Sequence, residues 1–154
     1  HNNKKYALLI GEVFYSAPLN IGLSVSAVLL SGIRASKMKK LIRTQNCRNY
    51  LVIEFLFNEF NLPLSPDINR LVSKALKKHD YPNVVFDLRN IEYIDSIGIG
   101  FFITIRNIFS EHNKTMCLVS DNEKIMQVFD NINMNRFCKI YRSHDDAEKC
   151  FETC

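Results

Sequence analysis

The sequence has no G-x-x-x-x-G-K-[ST] segment and no G-x-S-x-G segment. The first absence removes the phosphate-cradling loop of a nucleotide hydrolase, and the second removes the strained turn on which a hydrolase serine sits. Cysteine occurs five times, at Cys47, Cys117, Cys138, Cys150 and Cys154, and never with C-x-x-C spacing. An odd count without that spacing suggests neither a complete disulfide framework nor a zinc knuckle, and it points to a reducing, cytoplasmic compartment. Cys150 and Cys154 fall on one helix face, but no histidine lies at ligand spacing from them, so neither a metal nor a cofactor is expected. His79, His112 and His144 fall at helix ends or caps, where a histidine is solvated. Asp145 and Asp146 are adjacent, so on a helix their carboxylates point apart and favour its N-terminus instead of converging on a substrate. No enzyme is indicated. There is no low-complexity tract and no internal repeat.

The charge is unevenly placed. Residues 1–48 carry eight basic side chains and one acid, a balance of +7, while residues 49–154 hold 12 basic and 15 acidic groups, a balance of −3. The basic overall charge therefore says nothing about the body of the protein. Direct nucleic-acid binding by that body is not expected, because counterion release needs clustered Lys and Arg. The change of sign divides the chain into an apolar and basic extension, residues 1–46, and a domain, residues 47–154. Within the extension, "NIGLSVSAVLLSGI" (Asn20–Ile33) is shorter than the roughly 18 to 20 apolar residues that span a bilayer. Glu12 interrupts what would otherwise resemble a secretory signal. Residues 1–37 fit three descriptions: elements packed on the main domain, a membrane-associated segment, or appended sequence upstream of Met38.

From residue 49 the pattern is regular. "YLVIEFLF" (Tyr50–Phe57) is β-branched and aromatic and has the length of a strand, here the first of the domain. "SPDINRLVSKALKK" starts a helix with Ser65 as cap and Pro66 in the first turn, and Ile68, Leu71, Val72, Ala75 and Leu76 share a face. "VVFDL" is too short an apolar run for a helix and predicts a buried strand. A long apolar helix follows Asp95, and "KTMCLVS" predicts another strand. Asp121 is expected to cap a helix over "NEKIMQVFDNINM". "CKIYRS" returns to strand, and Ser143 caps a last helix with acids in its first turn. Strands alternating with helices specify an α/β layer protein.

Glycine is scarce, five in 154 residues, yet two of the five lie together in "EYIDSIGIGFF", at Gly98 and Gly100. Each costs a helix about 1 kcal/mol relative to alanine, so a steric need must outweigh that. Asp95 and Ser96 are both good cap residues, and the stretch predicts a helix whose first turn is stripped of side chains. A backbone or a partner can approach such a turn. A phosphate on Ser96 would meet the partial positive charge of free helix N–H groups and add about −1.5 to −2 charge beside Asp95. Further along, Ile99, Phe101, Phe102, Ile103, Ile105, Ile108 and Phe109 cover more than one face of the helix. Either another part of the chain or a partner must cover the surplus.

"VVFDLRNIEYIDSIGIGFF" resembles the signature of the STAS domain family, the sulfate transporter and anti-sigma factor antagonist domains, in which a buried strand and an apolar link lead to D-S-[small]-G-[aliphatic]-G. The resemblance extends over about residues 47–154. It implies a small mixed β-sheet with helices packed mainly on one side. It is greatest to the bacterial anti-sigma factor antagonists, and it implies a non-catalytic, protein-binding regulatory module. It further implies that Ser96 takes the phosphorylated position, that a GHKL-type anti-sigma factor kinase is the partner, and that a phosphatase resets the switch. Asp95, Ser96, Ile97, Gly98 and Gly100, with Asn58 and Asn61 of the turn "NEFN", form the implied partner surface. Two departures stand out. Ile97 replaces a small residue next to the acceptor serine, and Asn58 and Asn61 replace the usual glycine and aspartate of that turn, asparagine tolerating positive φ better than most residues. The same resemblance admits two alternatives: the regulatory domain of a membrane transporter or lipid-transport system, and a scaffold that is never phosphorylated.

Overall fold

The computed structural model describes residues 41–61 and 65–152. The expectations placed on residues 1–37, on Cys154 and on the Cys150 side chain fall outside what is described.

Seven strands and four helices lie among the described residues. They are β1 (Ile42–Asn46), β2 (Tyr50–Phe55), β3 (Glu59–Phe60), α1 (Ser65–Lys78), β4 (Asn83–Asp87), β5 (Tyr93–Ile94), α2 (Ser96–Glu111), β6 (Thr115–Val119), α3 (Glu123–Asn131), β7 (Lys139–Tyr141) and α4 (His144–Glu152). A 3₁₀ turn at Met134–Arg136 precedes β7. The main sheet has the order β1-β2-β4-β6-β7, with β1 antiparallel to β2 and the other pairs parallel. Strands β2, β4, β6 and β7 thus step across the sheet in one direction. Parallel crossovers nearly always share one hand, so this order sends the three connecting helices to a common face.

Alternation along each strand divides the core in two. Leu51, Ile53, Phe55, Val84, Phe86, Met116 and Leu118 face α1, α2 and α3. Tyr50, Val52, Val85, Cys117 and Val119 face α4 through Ala147 and Phe151. The architecture is therefore the expected small mixed sheet with helices mainly on one side. Phe55, Phe60, Phe86, Phe101 and Phe102 are all fully buried and contact one another, Phe55 and Phe86 stacked and the other pairs edge-on or tilted, with Phe101 and Phe102 5.1 Å apart and Phe60 and Phe101 5.2 Å apart. The excess apolar surface of α2 is covered from within the chain: Phe101, Phe102, Ile105, Ile108 and Phe109 are buried, and Ile99 and Ile103 pack half-buried against the same core.

Three expectations need correction. Strand β1 precedes Tyr50, so "YLVIEFLF" is the second strand, and the sheet begins before the boundary drawn at residues 46/47; the 43–46 stretch reads as a polar extension because all four of its residues are exposed. Asn122, not Asp121, caps α3, its side chain accepting from the N–H of Lys124 at 2.9 Å and of Ile125 at 3.5 Å, because the helix starts one residue later. His144 is not merely solvated: its Nε2 lies 2.8 Å from an Oδ2 of the buried Asp87.

Candidate functional site

The link from β4 to α2 is laced along the chain that follows β2. The Asn58 carbonyl accepts from the N–H of Glu92 at 2.7 Å and of Tyr93 at 3.1 Å, the Asn90 amide donates to the Phe55 carbonyl at 2.8 Å, and the Asp95 N–H donates to the Phe60 carbonyl at 3.1 Å. These bonds build a second, two-stranded parallel sheet of β3 and β5, in which Glu59 lies opposite Tyr93 and Phe60 opposite Ile94. The ledge brings the Asn58–Asn61 turn beside the Asp95–Gly100 stretch, so the sequence-predicted residues, though about 40 positions apart, meet at one end of the molecule. Neither Asn58 nor Asn61 has positive φ; among the described residues other than glycine only Asn113 and Asn133 do. What Asn58 supplies is its backbone carbonyl. Asn61 donates from Nδ2 to Glu59 at 3.4 Å, and its buried Oδ1 has no hydrogen-bond partner.

Asp95 is the N-cap of α2. Its backbone is extended, and one carboxylate oxygen accepts from the N–H of both Ile97 and Gly98 at 2.9 Å. This corrects the expectation of free helix N–H groups beside Ser96: the cap already occupies them. A phosphate on Ser96 would find the Ile97 and Gly98 amides already taken and would stand next to a carboxylate. Ser96 itself, the first residue of the helix, is exposed. Its neighbours Ile97 and Tyr93 are apolar side chains left 40% and 56% exposed. Tyr93 carried no sequence signal, since a two-residue strand has no period to show which face is outward.

The two glycines have separate causes. A Cβ on Gly98 would lie 2.7 Å from Ile94 Cγ1 and 2.8 Å from Phe60 Cδ1, so the first turn of α2 rests directly on the ledge. A Cβ on Gly100 would meet nothing within 4 Å. Gly100 is one helical turn beyond Ser96 on the same face, and it leaves the space beside that serine clear.

Behind this end lies a polar cluster around the buried Asp87 that sequence reasoning missed. Asp87, at the C-terminal end of β4 and 2% exposed, receives the Arg89 guanidinium at 2.8 Å, the Arg89 N–H at 3.0 Å and the His144 ring. Burial alone would raise its pKa, but the hydrogen bonds from Arg89 and His144 outweigh burial and hold it below the usual aspartate value. The cluster pins the first turn of α4 and the start of the β4–β5 link to the sheet. Among the described residues no group of His, Cys, Asp and Glu is arranged to hold a metal ion, and no helix is long and apolar enough to cross a membrane.

Comparison with known proteins agrees with this geometry. The STAS domain description matches residues 37–147. A curated Thermotoga maritima protein named "Putative anti-sigma factor antagonist" is 33% identical over 89 residues, covering 58% of this chain and 79% of that protein. Among solved structures, the T. maritima protein tm1081, also described as a putative anti-sigma factor antagonist, superimposes with a TM-score of 0.65 at 22% identity, covering 73% of this chain and 95% of that one. The anti-sigma factor antagonist SpoIIAA in its unphosphorylated form gives 0.59 at 14% identity, with 73% and 97% covered. Bacillus SpoIIAA in its phosphorylated form gives 0.54 at 15% identity, with 71% and 98% covered. At these identities the structural likeness establishes the fold.

Proposed function

The chain belongs to the STAS domain family, and from that premise we propose that it is a non-catalytic cytoplasmic binding module of the anti-sigma factor antagonist kind. In this proposal the entrance of α2 docks a GHKL-type anti-sigma factor kinase, and phosphorylation of Ser96 releases it. A phosphatase restores the docking form. The observation that carries the proposal is the exposed Ser96 on a capped helix turn with clear space beside it at Gly100. Ile97, the next residue, and Tyr93, on β5, leave apolar surface exposed for contact. An uncharged serine can be covered at small cost. A phosphoserine brings about −1.5 to −2 charge, and Asp95 already holds the Ile97 and Gly98 amides, so the helix start offers that charge little compensation when a partner strips its water. Release then follows from desolvation and bulk, without any rearrangement of the helix.

The test is incubation of the protein with ATP and each GHKL-type kinase of the source genome, followed by mass mapping and a pull-down. A phosphate on Ser96, lost in Ser96→Ala, and a capture weakened at least tenfold by Ser96→Asp are the expected results. Modification at another residue, or capture indifferent to Ser96→Asp, would overturn the switch. Ile97 favours one second reading: a branched side chain next to the acceptor hinders a kinase active site but adds apolar docking area, as a constitutive scaffold needs. Capture of a kinase that never modifies the chain would select that reading.

A further inference from the structure

Helix α4 packs on β6 and β7, and beside it a groove of about 400 Å³ runs across β2 to the edge strand β1, within the size range of small-molecule sites. Strand register decides what lines it. Arg43 lies opposite Glu54 and Glu54 opposite Asp87, so these three form one end together with Arg89 and His144. Two residues along, Gln45 lies opposite Val52 and makes the middle. Cys47 and Tyr50 form the other end, where α4 supplies Glu148, one turn beyond His144. Glu54 and Tyr50 are four strand residues apart, about 13 Å at roughly 3.3 Å per residue.

The two ends differ electrically. At the first, each carboxylate is answered: Asp87 by Arg89 at 2.8 Å and by the His144 ring, Glu54 by Arg43 at 3.2 Å. That end offers donors and acceptors whose charges are matched. At the second, Glu148, exposed on α4, stands against the Tyr50 hydroxyl, whose proton is held by burial, by the Cys47 contact and by the charge of Glu148 itself. A hydroxyl that stays neutral donates to the carboxylate without cancelling its charge. Among the described residues Glu148 forms no ion pair, although Arg48 borders a neighbouring hollow with it. Among the described lining residues Val52 alone is aliphatic. A wholly apolar occupant would strip water from the polar walls without replacing it, and an anionic group placed at Glu148 would be repelled.

We propose that this groove binds a small linear amine, its ammonium against Glu148 and the Tyr50 hydroxyl, its chain over Val52, and a neutral amide or hydroxyl group at its far end among Gln45, Arg43 and Arg89. The groove lies on the sheet face opposite α2, so its occupation does not depend on the docking role proposed for Ser96.

Four six-carbon probes that differ only at their ends test this: 6-aminohexanamide, hexylamine, hexanamide and the monoamide of adipic acid, each titrated into the full chain at about pH 8, above the ordinary histidine range. Amide shifts of Gln45, Val52 and Glu148 report on the groove. Saturable shifts at these residues are expected for 6-aminohexanamide, at an affinity at least tenfold above hexanamide and the adipic monoamide and at least threefold above hexylamine, which lacks the far polar group. Glu148→Gln, at an exposed helix position, is expected to weaken 6-aminohexanamide at least fivefold and to leave hexanamide unchanged. Glu111→Gln, the same charge change at the end of α2, leaves both unaltered. Hexylamine or an ammonium-free probe binding as tightly as 6-aminohexanamide, binding indifferent to Glu148→Gln, shifts confined to other residues, or no saturable binding would overturn the proposal.

Discussion

Replacing each of the two helix glycines by alanine should change stability in opposite directions. In a helix, alanine is worth about 1 kcal/mol more than glycine. At Gly100 nothing lies within 4 Å of the new methyl, and φ is not positive, so the gain is realised. Gly100→Ala is therefore expected to stabilise the domain by about 0.4–1 kcal/mol. At Gly98 the methyl would sit 2.7 Å from Ile94 Cγ1 and 3.0 Å from Phe60 Cγ. These are not free side-chain ends: Phe60 is fully buried among Phe55, Phe57, Phe101 and Phe102 and has nowhere to retreat. Overpacking of that kind costs about 1–3 kcal/mol, which exceeds the helix gain, so Gly98→Ala is expected to destabilise by about 1–2 kcal/mol. Urea melts should show the two midpoints on either side of the parent with unchanged slope, and thermal midpoints should move by roughly 4 °C per kcal/mol. A stabilised Gly98→Ala, or a Gly100→Ala that loses more than about 0.5 kcal/mol, would refute the assignment of the first glycine to packing and the second to clear space. Because Gly100→Ala keeps the fold, any loss of partner capture in that variant reports docking directly.

Removing the cap with Asp95→Ala is expected to cost about 1 kcal/mol, whereas Asp95→Asn, which keeps an acceptor for the Ile97 and Gly98 amides, should retain most of that; thermal melts of the two variants compare them. For Asp87, the folded carboxyl titrates below its ordinary value. The stability it supplies is thus complete above the unfolded pKa of about 3.9 and is lost as pH falls through the lower folded value. Asp87→Asn is expected to lose about 2 kcal/mol at neutral pH, as for hydrogen bonds to a charged group. It should also flatten the acid limb of a plot of urea midpoint against pH; an unchanged acid limb would place that stability elsewhere.

Much of this architecture is legible in the sequence because its signals are local. Asp95 followed by an apolar run marks a helix start; "VVFDL" is short, β-branched and buried, and forms the central strand β4. The α1 helix starts where Ser65 and Pro66 place it, although Leu71 is only half-buried while Asn69 and Ser73 are buried. What escapes is non-local or too short to have a period. Strand β1 is an edge strand whose residues after Ile42 are polar and exposed, so its identity rests on pairing with β2 and not on its own pattern. The β3–β5 ledge consists of two-residue strands specified by backbone bonds to Asn58 and Phe60, which no side chain announces. Asp87 and His144 are 57 positions apart, and only the return of α4 to the sheet joins them. The place of Ser96 at the helix start is legible because its neighbours Asp95 and Gly98 encode the turn. The occupation of the helix amides by Asp95 was not, since Asp95 and Ser96 are equally good caps on composition alone.

The antiparallel seating of β1 has a practical outcome. Leu41 and Ile42 sit at the C-terminal end of the parallel strands, with the Leu41 carbonyl accepting from the Leu56 N–H at 2.8 Å. Polypeptide upstream of residue 41 is therefore attached at the pole that carries Ser96, whereas α4 runs away from His144, beside Asp87, toward the opposite pole. A fusion partner joined directly at Leu41 would enter at the pole of the serine, and one joined directly after Glu152 would enter at the opposite pole.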